Sequence, residues 1–119
     1  MSSSLKLNYV EFPASDIPAT KLFLEKAFGW SFQDFGPDYS AFSDQGLDGG
    51  FYQSELTSVA SNGSALLVLK SNDLEHTQSV IESAGGKISA PIFSFPGGRR
   101  FHFIEPSGNE FAVWCLMST

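Results

Sequence analysis

The chain has 119 residues, enough for one domain around one hydrophobic core. Its hydrophobic fraction of 42% and charged fraction of 17% are those of a soluble globular protein. Thirteen acidic residues against seven basic ones leave a net charge of −6, which argues against nucleic acid or an anionic membrane as a partner, since both demand clustered Lys and Arg.

In chain order, Leu5–Phe12 alternates as a half-buried strand, with Tyr9 and Glu11 on one face and Val10 and Phe12 on the other. Asp16 is placed to cap a helix with Pro18 in its first turn. Ile17, Thr20, Leu24 and Ala27 make one helical face, and Gly29 ends the helix. Strands are expected over Trp30–Phe35, Tyr39–Ser43 and Leu47–Gln53, parted by turns at residues 36–38 and 44–46. Gly49-Gly50 within the last of these marks a bulge or a close approach. The polar stretch Ser54–Ser64 reads as a linker without a change of composition.

The plan then repeats. Asp16 maps onto Asp73, and the same shift carries Ile17 to Leu74, Thr20 to Thr77, Glu25 to Glu82, Ala27 to Ala84 and Gly29 to Gly86. Ala65–Lys70 is a strand, and Asp73 caps a helix with the face Leu74, Thr77, Ile81 and Ala84. Strands follow at Lys87–Phe95, with Pro91 at an edge or bulge, Arg99–Ile104 and Glu110–Leu116. The pattern predicts an α+β fold of two tandem βαβββ units, about residues 5–53 and 65–117, in a single domain spanning 1–119.

Ser15-Asp16-Ile17, Phe28-Gly29-Trp30, Asn72-Asp73-Leu74 and Glu105-Pro106-Ser107-Gly108-Asn109, in that order and with the internal repeat, resemble the vicinal oxygen chelate superfamily. That group holds glyoxalase I, extradiol dioxygenases and the bleomycin- and fosfomycin-resistance proteins. The resemblance implies that the strands curl into a funnel-like mixed sheet with helices outside and ligand inside. It also implies a divalent metal held by His, Glu or Gln on inward-facing strand positions. Those positions fall on Tyr9, Leu66 and Ala112, with Gln53 the nearest oxygen donor for a fourth. Leu and Ala carry no donor, and neutral Tyr is a poor ligand for a hard cation. The chain is therefore expected to lack the metal and to bind a small molecule. The alternative is a metal-dependent lyase, isomerase or dioxygenase using displaced ligands such as Glu11, His102 and Glu110.

Tyr9, Glu11, His102 and Trp114 are the candidate ligand-binding residues, and Glu11 and His102 the candidate acid or base. Glu11 on an aromatic wall would favour a cationic or partly aromatic ligand, unless Arg99 or Arg100 folds in to neutralise it. His102 faces the ligand side if Phe101 and Phe103 pack under the helices; otherwise it is a hydrogen-bonded wall residue. Glu110 reads as a rim residue, and Cys115, the chain's one cysteine, as a core thiol. Neither a signal peptide nor a transmembrane run is evident, so the expected location is the cytoplasm. Open sheet edges and the resemblance together point to a homodimer.

Overall fold

A computed structural model describes residues 5–117. Strand β1 (Tyr9–Ala14), helix α1 (Ile17–Phe28) and strands β2 (Phe32–Asp34), β3 (Tyr39–Gln45) and β4 (Leu47–Gln53) form the first unit. A linker with a 3-10 turn at Ala60–Asn62 leads to the second: β5 (Leu67–Lys70), α2 (Leu74–Ser83), β6 (Lys87–Phe95), β7 (Gly98–Ile104) and β8 (Glu110–Leu116). Each unit makes a four-stranded mixed sheet, ordered β1-β4-β3-β2 and β5-β8-β7-β6. In each, the strand before the helix pairs in parallel with the last strand of the unit. This is the tandem α+β architecture that the repeat predicts.

The caps form as the sequence requires. Asp16 accepts from the Ala19 N–H at 3.0 Å, Asp73 from the His76 N–H at 3.1 Å, and Gly29 closes α1 at φ 73°. The first strand starts later than its alternation suggests. Its pairing with β4 begins only at Tyr9, opposite Asp48, and Leu5 and Leu7 stay 85% and 90% exposed. Strand β6 runs unbroken through Pro91, which sits at an edge, inside the register shift between Ala90 and Phe93.

Phenylalanines join the two units. Phe12 packs on Phe51 of its own sheet at 5.4 Å and on Phe111 of the other at 5.0 Å. Phe23 of α1, between the expected face positions Thr20 and Leu24, reaches Phe103 of β7 at 5.8 Å and is 1% exposed. Each fully buried ring contributes about 1.5–3 kcal/mol by area, so the shared cluster is a main reason the units stay together.

A polar clasp reinforces it. Glu105, from the turn between β7 and β8, is buried and accepts from Thr20 Oγ1 of α1 at 2.6 Å, from the Ser107 and Asn109 N–H groups, and from Asn109 Nδ2. Asn109 Nδ2 also donates to the Pro13 carbonyl at 2.7 Å. Burial pushes the Glu105 carboxyl up, while the donors from Ser107, Thr20 and Asn109 act the other way without cancelling it. The linker is tied to the same turn: Ser58 N–H donates to Asn109 Oδ1 at 2.8 Å, and the Ser58 carbonyl accepts from Glu110 N–H at 2.9 Å.

Candidate functional site

On the face of the first sheet away from the helices, all three tyrosines of the chain surround Glu11. Tyr9 lies two residues before Glu11 on β1. Tyr39 and Tyr52 are cross-strand partners, and Gly50 stands opposite Glu11. Tyr39 donates to Glu11 Oε2 at 2.9 Å, so Tyr9, whose hydroxyl is 2.6 Å away, must donate to Tyr39. Gly50 makes this possible, because a Cβ there would strike the Tyr39 hydroxyl and ring. Its neighbour Gly49 gives Phe42 the same room on the core side. The paired glycines thus serve close approach on both faces. Burial, then the hydrogen bonds to Tyr9 and Glu11, push the Tyr39 hydroxyl well above the usual tyrosine range, so it stays a donor.

Glu11 also lines a cleft of about 330 Å³ between β1 and the linker, with Tyr52, Leu56 and Thr57. Neither arginine neutralises it. Arg99 forms a two-pronged pair with Glu75 at 2.6 and 3.1 Å, and Arg100 lies over the rings of Phe93 and Phe95. Among the described residues Glu11 has no salt-bridge partner.

On the open face of the second sheet, His102 sits between Phe101 and Phe103, which are fully buried, so its ring turns away from the core. His102 Nδ1 is 2.9 Å from Glu110 Oε2. Glu110 is more enclosed than a rim residue, with its side chain 14% exposed, because the linker crosses it and the Ala60 N–H donates to Oε1 at 2.9 Å. Burial pushes its carboxyl up, but the Ala60 N–H, His102 and Ser89 outweigh that and hold it below the usual carboxylate range. An ionised Glu110 can only accept, so Nδ1 carries the proton. His102 Nε2 is left buried without a partner, beside the Phe93 ring at 5.9 Å. A histidine held by a carboxylate with its other nitrogen free has the form of a general base. Trp114 lies between Phe95 at 6.2 Å and the Lys70 ammonium at 5.5 Å.

The profile of the Glyoxalase/Bleomycin resistance protein/Dioxygenase superfamily matches residues 6–113. The chain belongs to that superfamily. Solved structures with the same fold include a glyoxalase/bleomycin resistance protein/dioxygenase family enzyme from Burkholderia phytofirmans PsJN, at TM-score 0.79 and 17% identity over 94% of this chain and 99% of that one. A glyoxalase-related enzyme from Fulvimarina pelagi superposes at TM-score 0.78 with 16% identity, over 93% of this chain and 88% of that one. A protein from the mobile metagenome of V. Pseudocholerae reaches 25% identity over 99% of both chains, at TM-score 0.70. No curated protein matches the sequence. No helix among the described residues is long and apolar enough to cross a membrane.

The donor set does not fit the metal that this superfamily commonly holds. Ala112 is fully buried between Val68 and His102 in the sheet register, and the Tyr9 hydroxyl is spent on Tyr39. His102 and Glu110 form a pair on one sheet, while Glu11 stands on the other. Among the described residues no three His, Cys, Asp or Glu side chains gather at one point. Of the four candidate ligand residues, Tyr9 and Glu11 are joined through Tyr39. His102 and Trp114 share the second sheet, two positions apart in pairing register. The cleft at Glu11 takes in Tyr52 and the linker but not Tyr9, His102 or Trp114. Tyr39 and the Glu110 partnership had only indirect signals in the sequence: the Gly49-Gly50 pair, and a carboxylate on the same strand face as Ala112.

Proposed function

We propose that this superfamily member binds a small molecule bearing a cationic group at Glu11, without the usual metal centre. The observation that carries the reading is a carboxylate at a 330 Å³ cleft, oriented by Tyr39 and paired with no cation among the described residues. Tyrosine faces beside that charge suit an ammonium or a flat cation, since the ring quadrupole adds to the ion pair. Cleft volume supports a compact ligand, at the lower end of the range of about 300–1,000 Å³ usual for small-molecule sites.

The test is a thermal-shift screen of cationic and anionic aromatics on wild type and Glu11→Gln. Cationic aromatics are expected to stabilise wild type and to lose most of that effect in Glu11→Gln. Equal stabilisation of both proteins, or of neither, overturns the assignment. Metal analysis of protein purified without chelator is expected to find less than one equivalent of divalent metal. A full equivalent lost on mutating Glu11 or His102 would favour the metal-dependent reading instead.

The protein is further proposed to act as a homodimer, its unpaired strand edges and exposed ring faces covered by a second copy. Sedimentation at micromolar concentration should show twice the chain mass; a monomer there refutes it.

A further inference from the structure

The cleft at Glu11 has a twin. Val10 and Leu67 line both clefts, and residues 67–70 of β5 occupy in the second the place that residues 10–13 of β1 occupy in the first. The opposite wall differs: the linker closes the first cleft, while the turn at Gln45–Leu47 closes the second. The charge differs too. In the repeat, Glu11 corresponds to Val68 and Pro13 to Lys70, so an acidic cleft is matched by one that carries a lone cation.

We infer that this second cleft binds an amphipathic carboxylate, a medium-chain or aryl-alkyl acid, with its tail on Trp30, Phe42 and Phe111 and its carboxylate at Lys70. The cleft measures about 430 Å³, the size class of small-ligand sites. Its floor reaches the buried rings of Trp30, Phe42 and Phe111, which are 8%, 5% and 2% exposed. Polar side chains stand only at its exposed edge, as Lys70 and Gln45. Lys70 lies over Trp114 and has no salt-bridge partner among the described residues. An apolar floor with one cation at the edge rewards a ligand of the same pattern. A hydrocarbon leaves the cation unused, an ammonium is repelled by it, and a diacid strands a second charge on apolar surface.

The inference is independent of the Glu11 reading, and the experiment keeps the two apart. The chain has two tryptophans, one in the floor of this cleft and one under Lys70, so intrinsic fluorescence reports on the site. Octanoate, octylammonium and octanol are titrated into wild type, Lys70→Met, Lys70→Arg and Glu11→Gln, with affinity from calorimetry and position from fluorescence. Octanoate should bind wild type saturably with a change in tryptophan emission. Lys70→Met should weaken it about tenfold or more, the value of a charge-assisted contact, while Lys70→Arg and Glu11→Gln retain it. Unchanged melting of Lys70→Met would confirm that the loss is local. Octylammonium or octanol binding as well as octanoate, equal affinity in Lys70→Met, or no saturable binding overturns the inference.

Discussion

At the start of α2, Ser71 accepts from the Asp73 N–H at 2.9 Å and lies 2.7 Å from the Thr77 hydroxyl, so the helix is tied down by its own preceding strand. At the start of α1 the repeat-related residue is Ala14, which has no hydroxyl. The same two bonds are made by Ser107 from the other unit, 3.1 Å from Asp16 N and 2.6 Å from Thr20 Oγ1. Both helices keep their own aspartate cap; the serine that braces it comes from the same unit at α2 and from the neighbouring unit at α1. The difference teaches where the interface energy is placed. The first unit has lost a local bond, and its replacement brings along Glu105 and Asn109, a buried network that exists only when both units are in place.

The largest expected effect tests that network directly. Asn109→Ala removes the Nδ2 donor to Glu105 and to the Pro13 carbonyl, together with the Oδ1 acceptor of the Ser58 N–H, leaving a buried carboxylate short of a partner. It should cost about 3 kcal/mol or more of unfolding free energy in denaturant titration. Loss of the side-chain bonds alone accounts for that, since the backbone N–H remains. A single cooperative transition in wild type is expected as well, because the core and the clasp both cross the units.

A smaller effect sharpens the comparison. Thr20→Val and Thr77→Val make the same change at repeat-related positions. Thr20 donates to a buried carboxylate, Thr77 to its own helix-start carbonyl. The first should cost about 2 kcal/mol and the second about 1 kcal/mol or less. Equal costs would show that the two caps are energetically alike despite their different partners.

The smallest effect is one of pH. The Glu110 carboxyl is held below its ordinary value, so the stability it gives is present in full above the ordinary carboxylate range. That stability is lost as pH falls through its lowered value. Glu105 works in the opposite sense: its carboxyl is raised, so its ionisation removes stability as pH rises from the ordinary value through the raised one. Thermal melts of wild type and Glu110→Gln should differ by about 1 kcal/mol at neutral pH and converge in acid. A gap that stays constant into acid would remove Glu110 from the set of stabilising carboxylates.

The sequence made the repeated features legible, and the structure shows why. Asp16 and Asp73 cap helices through bonds closed within three residues, and Ile17, Leu24, Leu74 and Ile81 bury one face of a short helix. Local chemistry decides both. Contacts between units break the repeat, and an internal alignment is blind to them by construction. The role of Ser107 is hidden in the sequence because its partners, Asp16 and Thr20, lie far back in the chain. The substitution of Ala14 for Ser71 was the available clue, a missing hydroxyl that something else had to supply. Phe23 is hidden for a related reason: its burial comes from Phe103 in the other unit, beyond what the face of α1 indicates. At the site, Glu11 could be assigned to the open face by alternation, but its hydrogen bond could not, since Tyr39 reaches it across Gly50 from two strands away.

The linker bonds carry a consequence for how the chain could be divided. Ser58 and Ala60 are held to Asn109 and Glu110 by three backbone-mediated hydrogen bonds, ahead of the exposed turn at Asn62-Gly63. A protease cutting in that turn would sever the covalent path between the units and leave those three bonds, the clasp and the phenylalanine cluster untouched. The nicked protein should therefore migrate as one particle. Its two fragments, made separately, should behave as complementing partners of unequal independence: the C-terminal piece brings its own serine to its helix, and the N-terminal piece obtains one only from its mate.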